Sequence, residues 1–130
     1  MQFELNERQA LSRKLFREFS LKEVKPIAAE IDEMERFPEE TVRKMAKIGM
    51  MGIPFTEEEG GSDGDTLTYT MAVEELSKHC ATTGVILSAH TSLACNPLHS
   101  FGTAVQKEKY LIPLASGKKL GAFALTEPNA

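Results

Sequence analysis

His79-Cys-Ala-Thr-Thr-Gly84-Val-Ile-Leu-Ser-Ala-His90-Thr-Ser-Leu-Ala-Cys-Asn96-Pro-Leu-His-Ser-Phe-Gly102-Thr-Ala-Val-Gln106 contains no Asp, Glu, Lys or Arg. A helix on a protein surface needs a charged or polar face. Small and apolar residues lie on every side of Ala81–Ala89. The stretch predicts a central helix at about 80–94, covered nearly all round by its own domain and by something else. Its small residues let neighbouring elements approach closely. Gly and Pro, with the polar His, Ser and Asn, interrupt the run too often for a membrane span.

Helical periodicity continues on both sides. Asn6 with Gln9 is a capping-box pair, and Leu11, Leu15, Phe19, Ile27 and Ile31 predict an inward stripe over 7–34. Pro26 should bend that helix near 22–26 rather than end it, because the pattern resumes at once. Phe37-Pro38-Glu39-Glu40 opens a second helix. Proline loses nothing at a helix start, and the glutamates favour the positive end of the dipole. Val42, Met45, Ala46 and Ile48 are its expected buried side, and Gly49 and Gly52 stop it. The segment Ile53–Asp65 reads as a loop. Its acids do not have the spacing of a calcium loop. A third helix follows at about 66–79 with Leu67, Met71, Ala72 and Leu76 inward. Thr103 and Gln106 form another capping pair ahead of a helix over 104–115, with Tyr110, Leu111 and Leu114 inward. Leu120–Leu125 then reads as a buried strand.

The chain has 130 residues, 42% of them hydrophobic, and a net charge of −4. These values suit one domain with a real core. The acidic balance argues against nucleic acid, which attracts basic surfaces. The charged N-terminal Met1-Gln-Phe-Glu-Leu lacks the apolar region of a signal peptide, so the compartment expected is the cytoplasm. Cys80 and Cys95 have no Cys-x-x-Cys or close His pair and read as buried free thiols. His90 and His99 have no partner at metal or triad spacing and read as hydrogen-bonded structural residues. No metal site is expected.

Phe37-Pro-Glu with Ile48-Gly-Met-Met-Gly-Ile53, Glu57-Glu-Glu-Gly-Gly-Ser62, and Ser92-Leu-Ala-Cys-Asn-Pro97 stand in that order. Phe101-Gly-Thr with Gln106-Lys-Glu-Lys-Tyr-Leu111 and the tail Gly121-Ala-Phe-Ala-Leu-Thr-Glu-Pro-Asn-Ala130 complete the set. Together they resemble the N-terminal part of the acyl-CoA dehydrogenases, in particular the short-chain, butyryl-CoA type. The resemblance covers essentially the whole chain, and the tail is its most specific piece.

The resemblance implies an all-α N-terminal domain at 1–118. Residues 119–130 would then be the start of a truncated middle β-domain, including its first strand. It implies FAD as cofactor, acyl-CoA as substrate and electron-transferring flavoprotein as electron acceptor. The whole enzyme would be a cytoplasmic homo-oligomer, a homotetramer, that acts in fatty acid metabolism. It would convert short- or medium-chain acyl-CoA to trans-2-enoyl-CoA, with a glutamate base in the later C-terminal bundle. No residue of this chain takes that role, and the isolated chain should be inactive.

By resemblance, Phe123, Leu125 and Thr126 lie against the flavin. Thr126 would offer its hydroxyl or its N–H to the isoalloxazine edge; the alternative is a turn cap before Pro128. Ser92 and Leu93 fall where the family's helices approach the acyl chain; the alternative is plain core packing. Two other functions remain open. One is an independent helical interaction module. The other is a related acyl-CoA flavoenzyme with altered chemistry, such as an oxidase, a decarboxylating dehydrogenase or a reductase. An exposed apolar patch at Val85, Ile86, Leu87 and Leu93, with a tail that forms no sheet, would favour a portion of an enzyme over a module.

Overall fold

Three prolines shape the helices of this protein. A computed structural model describes residues 4–129; residues 1–3 and Ala130, the outer ends of the two expected regions, lie outside it. The first helix comprises α1 (Glu7–Phe19), a wide π turn (Ser20–Val24), a tight 3-10 turn (Lys25–Ile27) and α2 (Ala28–Glu33). Two more π turns follow, at Ala89–Cys95 and Lys107–Leu111. Each ends two residues before a proline: Pro26, Pro97 and Pro113. A proline ring clashes with the carbonyl four residues back and cannot donate to it. Those carbonyls belong to Lys22, Leu93 and Lys109, all inside the π turns. Widening the turn relieves the clash. The residue before each proline then bonds five residues back: Lys25 N–H to Ser20, Asn96 to Thr91 and Ile112 to Lys107. The bend expected near 22–26 is therefore a π-to-3-10 transition.

The other helices are α3 (Glu39–Lys47), α4 (Thr66–Ser77), α5 (Ala81–Ser88), α6 (Asn96–Phe101), α7 (Ala104–Gln106) and α8 (Ile112–Ala115). No strand forms among the described residues. Both capping boxes are present, Asn6 with Gln9 and Thr103 with Gln106. Gln9 does more than close its own box. Its Nε2 donates to Asp65 Oδ2 at 2.7 Å, while Asp65 Oδ1 accepts the N–H of Thr68 at 2.7 Å. The starts of α1 and α4 are thus fastened to each other.

The helix α4 packs against both α1 and α5. Phe16, Phe19, Val24, Met45, Met71 and Leu76 form the main core with Leu87 of α5. A second cluster, Phe55, Cys95, Leu111 and Ala115, joins the loop to the last helices. The inward face of the first helix matches the expected stripe only in part. Phe19 and Ile31 are buried as expected, Leu11 and Leu15 are exposed, and Phe16 and Ser20 are buried in their place. Ser20 earns its place by donating its hydroxyl to the Glu75 carbonyl at 2.7 Å. Ile48, Leu67 and Tyr110 are also exposed rather than inward. The phase of a helix is set by its packing partner, and one apolar stripe beside another leaves that choice open. Among the described residues no helix is long and apolar enough to cross a membrane.

Candidate functional site

The uncharged run forms α5, the second π turn and α6. One side of it is sealed: Thr83, Gly84, Leu87, His90, Thr91 and Cys95 are all buried. Gly84 makes the seal tight, since a Cβ there would lie 1.9 Å from Ser77 Oγ. The other side is bare. Val85 is 62% exposed and Leu93 47% exposed, while Ile86 is half-buried and Leu87 fully buried. Phe101 is the most open, at 88%. The patch that sequence reasoning attached to an enzyme portion is present at Val85 and Leu93, and Leu87 belongs to the core instead.

Ser92 and Leu93 both sit in the π turn and both are exposed. The Ser92 hydroxyl donates to the Ser88 carbonyl at 2.7 Å. Neither residue is buried among the described residues. Two buried hydroxyls, Thr83 Oγ1 and Thr91 Oγ1, find no partner among the described residues.

The tail begins on this same turn. Gly121 donates its N–H to His90 Nδ1 at 2.9 Å. A Cβ on Gly121 would come within 2.5 Å of the Ala94 Cβ and 3.3 Å of Leu114. Only glycine allows this approach. Because Nδ1 accepts, the imidazole is neutral and carries its hydrogen on Nε2. Nε2 stands 3.4 Å from Cys95 Sγ. Burial holds His90 below the ordinary histidine range, against an opposing pull from the backbone groups of Leu114 and Met51. Burial also pushes the Cys95 thiol up to about 12. Both histidines are hydrogen-bonded, as expected; Cys95 is a buried free thiol, whereas Cys80 is only partly covered.

Beyond Gly121 the chain forms neither helix nor strand up to the turn at 128–129. The expectation of a buried strand at 120–125 is corrected here. Leu120, Phe123 and Leu125 are 45%, 55% and 74% exposed. A strand needs a paired neighbour, and none is present among the described residues. The Thr126 side chain is exposed and bonds to no other described residue, so the turn at 128–129 stands without a cap from it. Ser92 and Leu93 are thus brought close to the root of the tail, while Phe123, Leu125 and Thr126 project beyond it. The donor chemistry fits one edge of a flavin. Apolar side chains alternate along a backbone whose N–H groups, over 122–126, have no partner among the described residues.

Sequence reasoning missed a second polar cluster. Glu59 lies between His99 Nδ1, at 2.8 Å, and Lys107 Nζ, at 3.0 Å. Burial alone would raise the Glu59 pKa, but the bonds from Lys107 and His99 leave it below the ordinary carboxylate value. These residues are 40 and 48 positions apart, so spacing along the chain carried no signal.

The family model described as "Acyl-CoA dehydrogenase, N-terminal domain" matches residues 6–118. The chain belongs to the acyl-CoA dehydrogenase family. The short-chain specific acyl-CoA dehydrogenase of Clostridium acetobutylicum is 63% identical over 130 residues, which are all of this chain and 34% of that protein. Butyryl-CoA dehydrogenase from Megasphaera elsdenii superposes with a TM-score of 0.93 at 44% identity, over 100% of this chain and 35% of that one. An acyl-CoA dehydrogenase from Bacillus anthracis, solved in complex with FAD, gives 0.88 at 28% identity, over 98% and 22%. The chain therefore spans about a third of the length of the first relative. This acyl-CoA dehydrogenase domain is helical, with no strand among its described residues, as the family resemblance implied.

Proposed function

We propose that this chain forms the helical wall of the acyl-CoA pocket, and the leading edge of the flavin pocket, in a flavin-dependent acyl-CoA dehydrogenase. The carrying observation is the bare, uncharged side of residues 81–101 with the tail seated on its π turn through His90 and Gly121. The whole enzyme oxidises a short- or medium-chain acyl-CoA to the trans-2-enoyl-CoA. It passes the electrons to an electron-transferring flavoprotein, as a cytoplasmic homotetramer that serves fatty acid metabolism.

In this reading Phe123 and Leu125 give the flavin an apolar wall. Thr126 offers a donor to its pyrimidine edge. Ser92 and Leu93 face the acyl chain. The flavin, when bound, supplies the acceptor for the hydrogen leaving the β carbon. This chain's residues bind, orient and exclude water; the base that takes the α proton is assigned to none of them. The acyl group is uncharged, because a buried second carboxylate needs a cation and residues 79–106 contain none.

Purified full-length protein tests this. Butyryl-CoA should bleach its flavin band and reduce an electron-transferring flavoprotein, and glutaryl-CoA should bind more weakly. The isolated 130-residue chain should give no acyl-CoA-dependent dye reduction. A full-length protein without flavin, or with tight glutaryl-CoA binding, would overturn the reading. A full-length protein that binds neither flavin nor acyl-CoA would favour the interaction module.

A further inference from the structure

Residues 120–129 leave the helical body with one hydrogen bond to it among the described residues, the Gly121 N–H to His90 Nδ1. The previous tie, Lys119 N–H to the Pro113 carbonyl at 2.9 Å, comes before the tail proper. His90 is fully buried. It stands in a π turn whose shape is set by Pro97, and its other nitrogen faces Cys95. Gly121 passes so close to the helices that a Cβ there would lie 2.5 Å from the Ala94 Cβ and 3.3 Å from Leu114. A buried acceptor of defined tautomer therefore meets a backbone donor where only glycine fits.

From this we infer that His90 is a positioning residue: its unprotonated Nδ1 sets where the segment 121–126 leaves the helical domain, and so where Phe123, Leu125 and Thr126 meet the cofactor. The inference rests on the reading of that segment as flavin-facing. His90 touches neither flavin nor substrate in this arrangement. It acts through the Gly121 amide. The contact also couples the two halves of the proposed pocket, because the same π turn presents Ser92 and Leu93.

The position of the acceptor, rather than the bulk of the ring, is what the test must isolate. Asparagine carries its amide oxygen on Cγ, the atom that bears Nδ1 in histidine, so that oxygen can stand where Nδ1 stands. Glutamine places its oxygen near Nε2 and is closer to histidine in volume. A packing role predicts that Gln substitutes better than Asn; the positioning role predicts the reverse. His90→Asn and His90→Gln would be made in the full-length protein. FAD affinity would be read by titrating the flavin-free form, and backbone hydrogen exchange over 121–126 by mass spectrometry. The Asn variant should stay within about twofold of wild type in both. The Gln variant should bind FAD roughly two- to tenfold more weakly and exchange faster over 121–126, the scale of one lost buried hydrogen bond. Equal behaviour of the two variants, or the opposite order, would overturn the assignment.

If full-length wild type binds no FAD, the flavin reading of the segment fails, while the exchange order still decides the role of His90. Should either variant not fold, the wild-type Gly121 amide decides. Its exchange should be at least about tenfold slower than that of Ala122, and equal rates would refute the pin.

Discussion

Glu59 and His99 are joined across the seam between the acidic loop and α6, with His99 Nδ1 2.8 Å from Glu59 Oε2. Lys107 closes the same carboxylate from the following helix at 3.0 Å. The Glu59 side chain is only 15% exposed, so the cluster is more than a solvated surface pair. The ring of His99 also leans on Phe55, with centroids 5.5 Å apart, which ties the polar seam to the second core.

Glu59→Gln should destabilise the fold at neutral pH by about 1–3 kcal/mol, since bonds to a charged group are lost. The Glu59 pKa in the folded protein is lowered relative to an unfolded value of about 4.3. Its contribution is therefore complete above that value and disappears as pH falls through the folded pKa. Urea titrations from pH 7 to pH 3 should show the gap between wild type and variant narrowing only below about 4.3. A gap constant across the range would refute this account.

Gly84→Ala should destabilise the α4–α5 crossing. The added Cβ would lie 3.1 Å from Ser77 Cβ and 3.3 Å from Ser77 Cα as well as on Ser77 Oγ. Overpacking of this kind costs about 1–3 kcal/mol, and the better helix propensity of alanine offsets at most about 1 kcal/mol of it. Ser77→Ala removes the nearest atom and should restore part of the loss. Thermal unfolding of both single variants and the double variant measures it. Strict additivity would show that the two residues do not meet.

The two cysteines should differ in reactivity. The Cys95 thiol is fully buried, and burial pushes it up to about 12. At pH 8 only about one Cys95 in ten thousand is a thiolate, the reactive form. Cys80 is partly exposed. Iodoacetamide followed by peptide mass mapping should label Cys80 in the native protein and Cys95 only after denaturant is added. Native labelling of Cys95 at a comparable rate would contradict the sealed side of the π turn.

Leu93→Ala should cost this chain only about 1 kcal/mol, below the 2–5 kcal/mol of a fully buried leucine, because Leu93 is 47% exposed. In the full-length protein the same change should shift the preferred acyl chain to greater length. An unchanged acyl-length profile would remove Leu93 from the proposed pocket.

Much of the fold was legible because its signals are local. A capping box is a pair of bonds between residues three apart, and Asn6 with Gln9 and Thr103 with Gln106 form theirs whatever surrounds them. Pro26 announced its bend for the same reason, since its clash is with its own helix. The inward face of α1 was legible only in part. Phe19 is buried as its stripe required, but both Leu15 and Phe16 stand within a turn of it, and only α4, with Glu75 receiving the Ser20 hydroxyl, chooses between them.

The sequence by itself determined the helices, their caps, their prolines and the uncharged run, because each follows from contacts within a few residues. Tertiary structure alone decided that His90 accepts from Gly121, 31 positions away, and that Glu59 gathers His99 and Lys107. It also decided which side of 81–101 stays bare. Such pairings depend on where whole helices come to rest, and that is settled by the summed burial of many side chains rather than by any short pattern.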